Sequence, residues 1–322
     1  MGGLLNDNNP FGADGGMFAS EPAGNNDEGG AGWADGFGDD PGAMFGDAAK
    51  VYDLEFARAQ ASEVLSSSQG GKQKKSGLQV NACVNYSPEK KQLLMELEFT
   101  NESGAPISDF DVMINKNSFG VLPDAPCSKH GIMYPGPFET SEVQYLPLKV
   151  DKKNADVKNP PKHPFLLQVA LKSTLDIFYF NVPCHLHSLV NFAVDPAQRL
   201  AKEDFKKFWD MIQADKQFTM EVGPAGPLKP YQGLKSLPDD LTTCLANNGF
   251  ALMAKTQKAQ TGQTMLYFGS KTVNNLPLMF EVAHPGQPNG DASSFSVTYK
   301  VPVLPLKPLF EDGLKYILTA RQ

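Results

Sequence analysis

The chain has 322 residues, 41% of them hydrophobic and 20% charged, with a formal net charge of −7. That length implies roughly two domains beside any unfolded part, and no stretch approaches the roughly 18 consecutive apolar residues of a membrane-spanning helix. Nine acids (Asp7, Asp14, Glu21, Asp27, Glu28, Asp35, Asp39, Asp40, Asp47) against Lys50 alone give residues 1–50 a net charge of −8, so residues 51–322 sum to about +1 and offer no basic field to nucleic acid.

Residues 1–50 hold 13 of the 29 glycines and show neither a period of 2 nor of 3.6. Such a segment buries too little apolar surface to offset its ordering entropy and is expected to be disordered. It also lacks the cationic and apolar succession of a secretory signal. Bulky islands recur in the acidic background: Asn9-Pro10-Phe11, Met17-Phe18, Trp33 to Phe37, and Met44-Phe45. One apolar anchor among acids and glycines has the form of a linear motif that orders on a partner's surface. Asn9-Pro10-Phe11 resembles the tripeptide bound by EH domains, and Asp35-Gly36-Phe37 is similar to the DPF-type ligands of endocytic appendages. Leu4-Leu5-Asn6-Asp7 resembles a clathrin box without its third apolar position.

Leu54, Ala57 and Ala61 have helical spacing, which predicts a short helix over 51–64, and Ser66 to Lys75 reads as a polar linker. From Gly77 the period becomes two. Leu93, Met95, Leu97 and Phe99 alternate with residues of the opposite face before the turn Asn101 to Gly104. Phe110, Val112 and Ile114 repeat the pattern, as do Phe165, Leu167, Val169 and Leu171. With Leu78 to Val84, Val143 to Val150 and Ile177 to Phe180, this predicts an antiparallel β-sandwich of about 110 residues. Lys152 to His163 reads as a charged loop.

After Cys184 the pattern changes. Asp195-Pro196 supplies an N-cap and a proline at the first helical position, predicting a helix to about Ile212. Within it Phe205, Phe208, Trp209 and Ile212 fall at i, i+3, i+4 and i+7, one apolar stripe. On the residues alone Trp209 is either core or a half-exposed anchor for a partner, since an indole carries an N–H to satisfy. Next come a strand over Phe218 to Val222, a helix over Pro238 to Asn248, four strands (Phe250–Lys255, Met265–Lys271, Leu278–Ala283, Phe295–Val301) and a helix from Lys307 to Thr319. This is an α+β domain, with helices expected over one face of an antiparallel sheet.

The chemistry-bearing residue types are sparse. Cys83, Cys127, Cys184 and Cys244 form no CxxC, which fits reduced thiols better than disulfides or zinc. His185 and His187, beside Cys184, would share a face if on a strand, but they have no third ligand nearby and read as surface or linker histidines. Asp239-Asp240 precede a helix and suit its N-terminal dipole. There is no GxSxG, HExxH or phosphate-binding glycine loop, so no cofactor, metal site or enzyme activity is expected.

Three blocks carry a family resemblance. Asn115-Lys116-Asn117-Ser118-Phe119-Gly120-Val121, then Leu167 to Lys172 leading into Asp176-Ile177-Phe178-Tyr179-Phe180, then Met265-Leu266-Tyr267 after the Trp209 helix resemble the appendage, or ear, of β-adaptins, the large β subunits of clathrin adaptors. The resemblance implies an immunoglobulin-like sandwich (77–192), an α+β platform (193–322), and residues 1–76 as the hinge before them. It implies no enzyme, but a module at coated pits or trans-Golgi vesicles that binds accessory-protein peptides and clathrin in the cytoplasm, touching membrane only indirectly. The helical trunk that precedes such a hinge, and through which other adaptor subunits attach, is not in this sequence, so a fragment or a free-standing relative is expected. In β-ears a Trp and a Tyr build the platform groove; Trp209 and Tyr267 match them, and Glu281 and Lys300 match acidic and basic edge positions. Trp209 is thereby expected to be the anchor. Tyr179 matches the centre of a second site on the sandwich. The chain departs from the family at Asp210, where a Lys usually follows the Trp. It departs again at the lengthened stretch offering Thr256 or Lys258 for an arginine, and at Lys216-Gln217, where an acid is expected. In an alternative reading the chain is a free-standing trafficking scaffold whose tail is itself the ligand of EH-domain or appendage partners.

Overall fold

The computed structural model describes residues 58–68, 77–151, 153, 155–156, 166–230, 239–285 and 294–319. Asn9, Pro10, Phe11, Asp35, Phe37 and the other islands of the N-terminal segment lie outside them, as does most of the loop after Asp151. The strands β1 (Ser62–Leu65), β2 (Leu78–Ser87), β3 (Gln92–Asn101), β4 (Asp111–Ile114), β5 (Val121–Pro123), β6 (Gln144–Val150), β7 (Leu166–Lys172) and β8 (Ile177–Pro183) form two antiparallel sheets. Their orders are β1-β2-β3-β6-β5 and β4-β7-β8. The inner faces are the residues whose alternation was legible: Val80, Ala82, Val84, Met95, Leu97 and Phe99 against Val112, Leu167, Val169, Leu171, Phe178 and Phe180, all buried. Burial of each such side chain contributes about 1.5–3 kcal/mol.

The helix expected over 51–64 is not what residues 62–65 form. Ser62 and Glu63 pair with Ala82 and Asn81 as an edge strand, and Ala59 exchanges two hydrogen bonds with the Asn85 side chain, at 2.8 and 3.1 Å. The strand comes from a neighbour with free backbone groups rather than from local propensity. β5 pairs three residues with β6 and has no periodicity of its own to read.

Past β8 a short helix α1 (Leu186–Val190) sits at the seam. Ser188 Oγ donates to Val84 O at 2.7 Å, and Val273 N donates to Leu189 O at 3.0 Å, so α1 ties the sandwich to the second sheet. His187 is fully buried, its ring stacked 4.4 Å from that of Tyr316. His185 lies 3.6 Å from Asp312. The expectation of two surface or linker histidines is corrected for His187, which α1 turns in against the C-terminal helix, where stacking replaces solvent; His185, just before α1, stays partly exposed.

Helix α2 (Lys202–Met211) is followed by β9 (Gln217–Val222), α3 (Asp239–Asn247), β10 (Ala251–Gln257), β11 (Thr264–Lys271), β12 (Pro277–His284), β13 (Phe295–Lys300) and α4 (Lys307–Leu318). The five strands form one antiparallel sheet in the order β10-β11-β12-β13-β9. Helices lie on both of its faces, not on one. α3 and α4 share the main core with Phe268, Phe280 and Val297, and α2 covers a separate small core on the other face. The helix start also differs. Asp195 Oδ1 does accept from Ala197 N, but the turn it caps is a single 3-10 turn, Pro196–Gln198. Arg199 then extends, bonding back to the Ala193 and Val194 carbonyls, and Leu200 drops into the small core before α2 begins.

All four cysteines are free thiols and buried. On α4, Glu311 accepts from Lys315 at 2.5 Å and from the Tyr299 hydroxyl at 3.0 Å. These contacts, the Lys315 bond foremost, hold its carboxyl below the ordinary 4.5. A depressed folded pKa contributes stability that is present above 4.5 and is lost as pH falls through the folded value. Glu311→Gln is therefore expected to cost about 1–2 kcal/mol at neutral pH. It should also flatten the acid limb of stability measured by urea denaturation against pH. An acid limb as steep as wild type would remove this linkage.

Candidate functional site

The site is built where α2 crosses the sheet. Glu203 and Asp204 in the first turn complement the helix dipole, and the apolar stripe faces β11 and β12. Gly269 on β11 presents no side chain, which leaves room for Phe205 over the sheet. A Cβ there would stand 2.8 Å from Phe205, 3.2 Å from Leu200 and 2.7 Å from Met253. Phe205 is fully buried in this notch, with Leu200, Ile212, Met253 and Met279 around it. The stripe then divides: Phe208 and Trp209 are only half-buried and pack on the rim of the small core.

Trp209 stacks on Phe205 at 5.6 Å and meets Tyr267 edge-on at 5.9 Å, with the ring planes at 89°. Tyr267 faces Glu281 directly across the β11–β12 ladder. Its hydroxyl titrates well above its ordinary 10.0, first because of burial and then because of the hydrogen bond and charge of Glu281. The phenol therefore keeps its proton through the neutral range and remains a hydrogen-bond donor beside Glu281. Lys300 ends β13, and its Nζ lies 4.6 Å from the centre of the Trp209 ring. The structure thus brings together Trp209, Tyr267, Glu281 and Lys300, contributed by α2 and three strands. Asp210 is exposed beside them. Thr256 pairs with Met265 on the neighbouring strand, Lys258 is in the β10–β11 turn, and Gln217 pairs with Lys300.

Sequence reasoning missed Gly269, Met253 and Met279, the floor on which the aromatic pair stands. Gly269 did carry a signal, since a glycine inside a strand marks a close backbone approach.

Tyr179 stands apart from this cluster, on the outer face of β8 and 76% exposed. Ladder pairing places Met113, Ala170 and Tyr179 in one row across β4, β7 and β8. Met113 is 62% and Ile177 40% exposed, so the sandwich carries an apolar patch around Tyr179. Apolar side-chain surface is thus exposed at two separate places.

The fold, a sandwich followed by a sheet-and-helix platform, resembles that of a β-adaptin appendage. Residues 195–318 match the family model described as the beta2-adaptin appendage, C-terminal sub-domain. Among whole proteins, the chain is 28% identical to the AP-1 complex subunit beta-1 of Rattus norvegicus over 217 residues, which is 67% of this chain and 20% of the relative. The Homo sapiens subunit is 26% identical over 230 residues, 71% of this chain and 22% of the relative. The chain therefore spans about a fifth of the length of the curated relatives it matches.

Proposed function

We propose that this chain is a clathrin-adaptor appendage, a non-enzymatic module that gathers accessory-protein peptides and clathrin during vesicle transport. In this reading residues 1–76 are a hinge carrying linear motifs, 77–192 the sandwich and 193–322 the platform. The module works in the cytoplasm, peripheral to coated vesicles or trans-Golgi membranes. The observation that carries the reading is the half-buried Trp209, set edge-on to Tyr267 above a core that Phe205, Ile212 and Leu200 already fill. A large ring not needed to close its own core, on a rigid floor and beside a carboxylate, is the form of an interface anchor. Glu281 and Asp210 suit a ligand that sets a cationic side chain beside its apolar one. Tyr179, with Met113 and Ile177, supplies a second and separate site. Single contacts of this size give micromolar affinities, and many tethered copies in a coat supply avidity.

The test is a pulldown from cytosol, together with titration of a synthetic helical peptide that presents two Phe and one Arg on one face. Trp209→Ala is expected to weaken the platform ligands at least about tenfold while the protein stays folded. Tyr179→Ala should remove a different set of partners. If both folded variants keep every partner, the two-site reading fails. Deleting residues 1–50 should leave platform binding unchanged. Loss of recruitment on that deletion would move the function to the tail.

A further inference from the structure

Helix α2 ends without the usual provision for its last carbonyls. Ile212, the residue that follows it, is extended (φ −79°, ψ 119°), and its last turn has no basic residue. Gln213, not glycine, follows Ile212, so no left-handed cap turns the carbonyls inward. The Phe208 carbonyl is met by the Ile212 N–H at 3.1 Å. The Trp209 and Ile212 carbonyls are met from the sheet instead: Lys300 Nζ donates to them at 2.6 and 3.4 Å. A cation at a helix C-terminus also meets the negative end of the dipole. The same ammonium stands 4.6 Å from the indole centroid, within cation–π range.

Lys300 is 8% exposed. Burial draws its pKa below the ordinary 10.5, and the carboxylates of Asp210 and Glu281 oppose that loss of charge. The amine is therefore committed to the end of α2 and covered by the ring. That is a different place from the groove edge at which a ligand's charge would be read.

We propose that Lys300 is the positioning residue of the groove: from beneath the indole it ties the end of α2 to β13 and so fixes the orientation of Trp209, without touching the ligand. The inference rests on reading the Trp209–Tyr267 groove as a ligand site. Without the ammonium, the last turn of α2 loses two hydrogen bonds and the indole loses its charged neighbour. Trp209 is then free to leave its edge-on contact with Tyr267. The identity of the cation matters less than its charge and its donors.

The experiment is nitrogen-15 NMR on the full chain, with the Trp209 indole N–H assigned by its absence in Trp209→Ala. The same helical peptide with two Phe and one Arg serves as probe. Lys300→Met keeps the aliphatic stem and removes the charge. It is expected to shift the Trp209 indole resonance and to weaken the peptide about tenfold. Lys300→Arg should restore most of both. In the wild type the Lys300 ammonium should stay protected from exchange when peptide is added, with no Overhauser contact to the peptide.

An unchanged indole resonance in Lys300→Met overturns the inference whatever the affinity, and so does a direct contact between the ammonium and the peptide. If Lys300→Met does not fold, the arginine variant and the wild-type titration decide. A folded Trp209→Ala that binds peptide like wild type removes the groove reading itself. If Trp209→Ala loses the peptide while Lys300→Met keeps it with the indole unmoved, the groove stands and only the role of Lys300 falls.

Discussion

Phe205→Ala is expected to lower the unfolding free energy by about 3–5 kcal/mol and to cost the platform its ligand affinity. Phe205 has no exposed surface and is the largest side chain in the small core under α2. The cost should fall at the high end because the site cannot collapse onto the gap. Gly269 faces it with no side chain to advance, and Leu200 and Met253 already reach to about 3 Å of where a Cβ would be. Phe205 is also the surface on which the Trp209 ring stacks, at 5.6 Å. A cavity there lets the indole sink, so affinity should fall even in molecules that remain folded. Urea denaturation measures the first effect, and peptide titration well below the unfolding midpoint measures the second. Phe205→Leu, which refills most of the volume, should recover stability before affinity. A loss under about 1 kcal/mol for the alanine variant would mean that α2 is held by other contacts.

Most of the sandwich strands were readable because they wet one face. In β3 the sequence alternates Leu93, Met95, Leu97 and Phe99 with Glu96 and Glu98, and the burial follows that alternation. The platform strands β11 and β12 are buried on both faces, between helices, and were readable instead as apolar runs bounded by turn residues, while α3 was readable from its end signals. Elements held by something outside themselves were not. β1 is a strand because β2 offers it an edge, and the first turn after Asp195 stays a 3-10 turn because Arg199 and Leu200 are drawn elsewhere. At the candidate site, residue types and spacing gave the aromatic stripe but not its division into buried and rim-exposed halves. That division depends on Gly269, some 60 residues downstream along the chain. The work of Lys300 was hidden more completely. It caps a helix from 91 residues away, and a lysine at the end of a strand has nothing local to distinguish it from a solvated one.

Asn117→Ala is expected to cost about 3–5 kcal/mol, from the loss of several hydrogen bonds at buried groups, with no change in ligand affinity per folded molecule. Asn117 is 1% exposed and makes four bonds to backbone. Its Oδ1 accepts from Phe119 N at 3.2 Å and Val121 N at 3.0 Å, and its Nδ2 donates to Asn115 O at 3.1 Å and Val121 O at 2.7 Å. One amide thus shapes the whole run from Asn115 to Val121, which explains why each residue in it is so particular. Phe119 is fully buried, and Gly120 takes φ +69° where a Cβ would strike the Asp151 carbonyl. Ser118 O accepts from Asn274 Nδ2 at 3.3 Å, so the run also braces the loop between β11 and β12. Asn117→Asp keeps the two acceptor bonds but buries a carboxylate and loses the donors, so it should be no better than alanine. Thermal or urea unfolding checks the stability, and titration of the folded fraction checks the affinity. The most recognisable run in the sequence is then a device of the fold. A fall in affinity for Asn117→Ala in its folded fraction would instead mean that the seam between sandwich and platform sets the geometry of the groove.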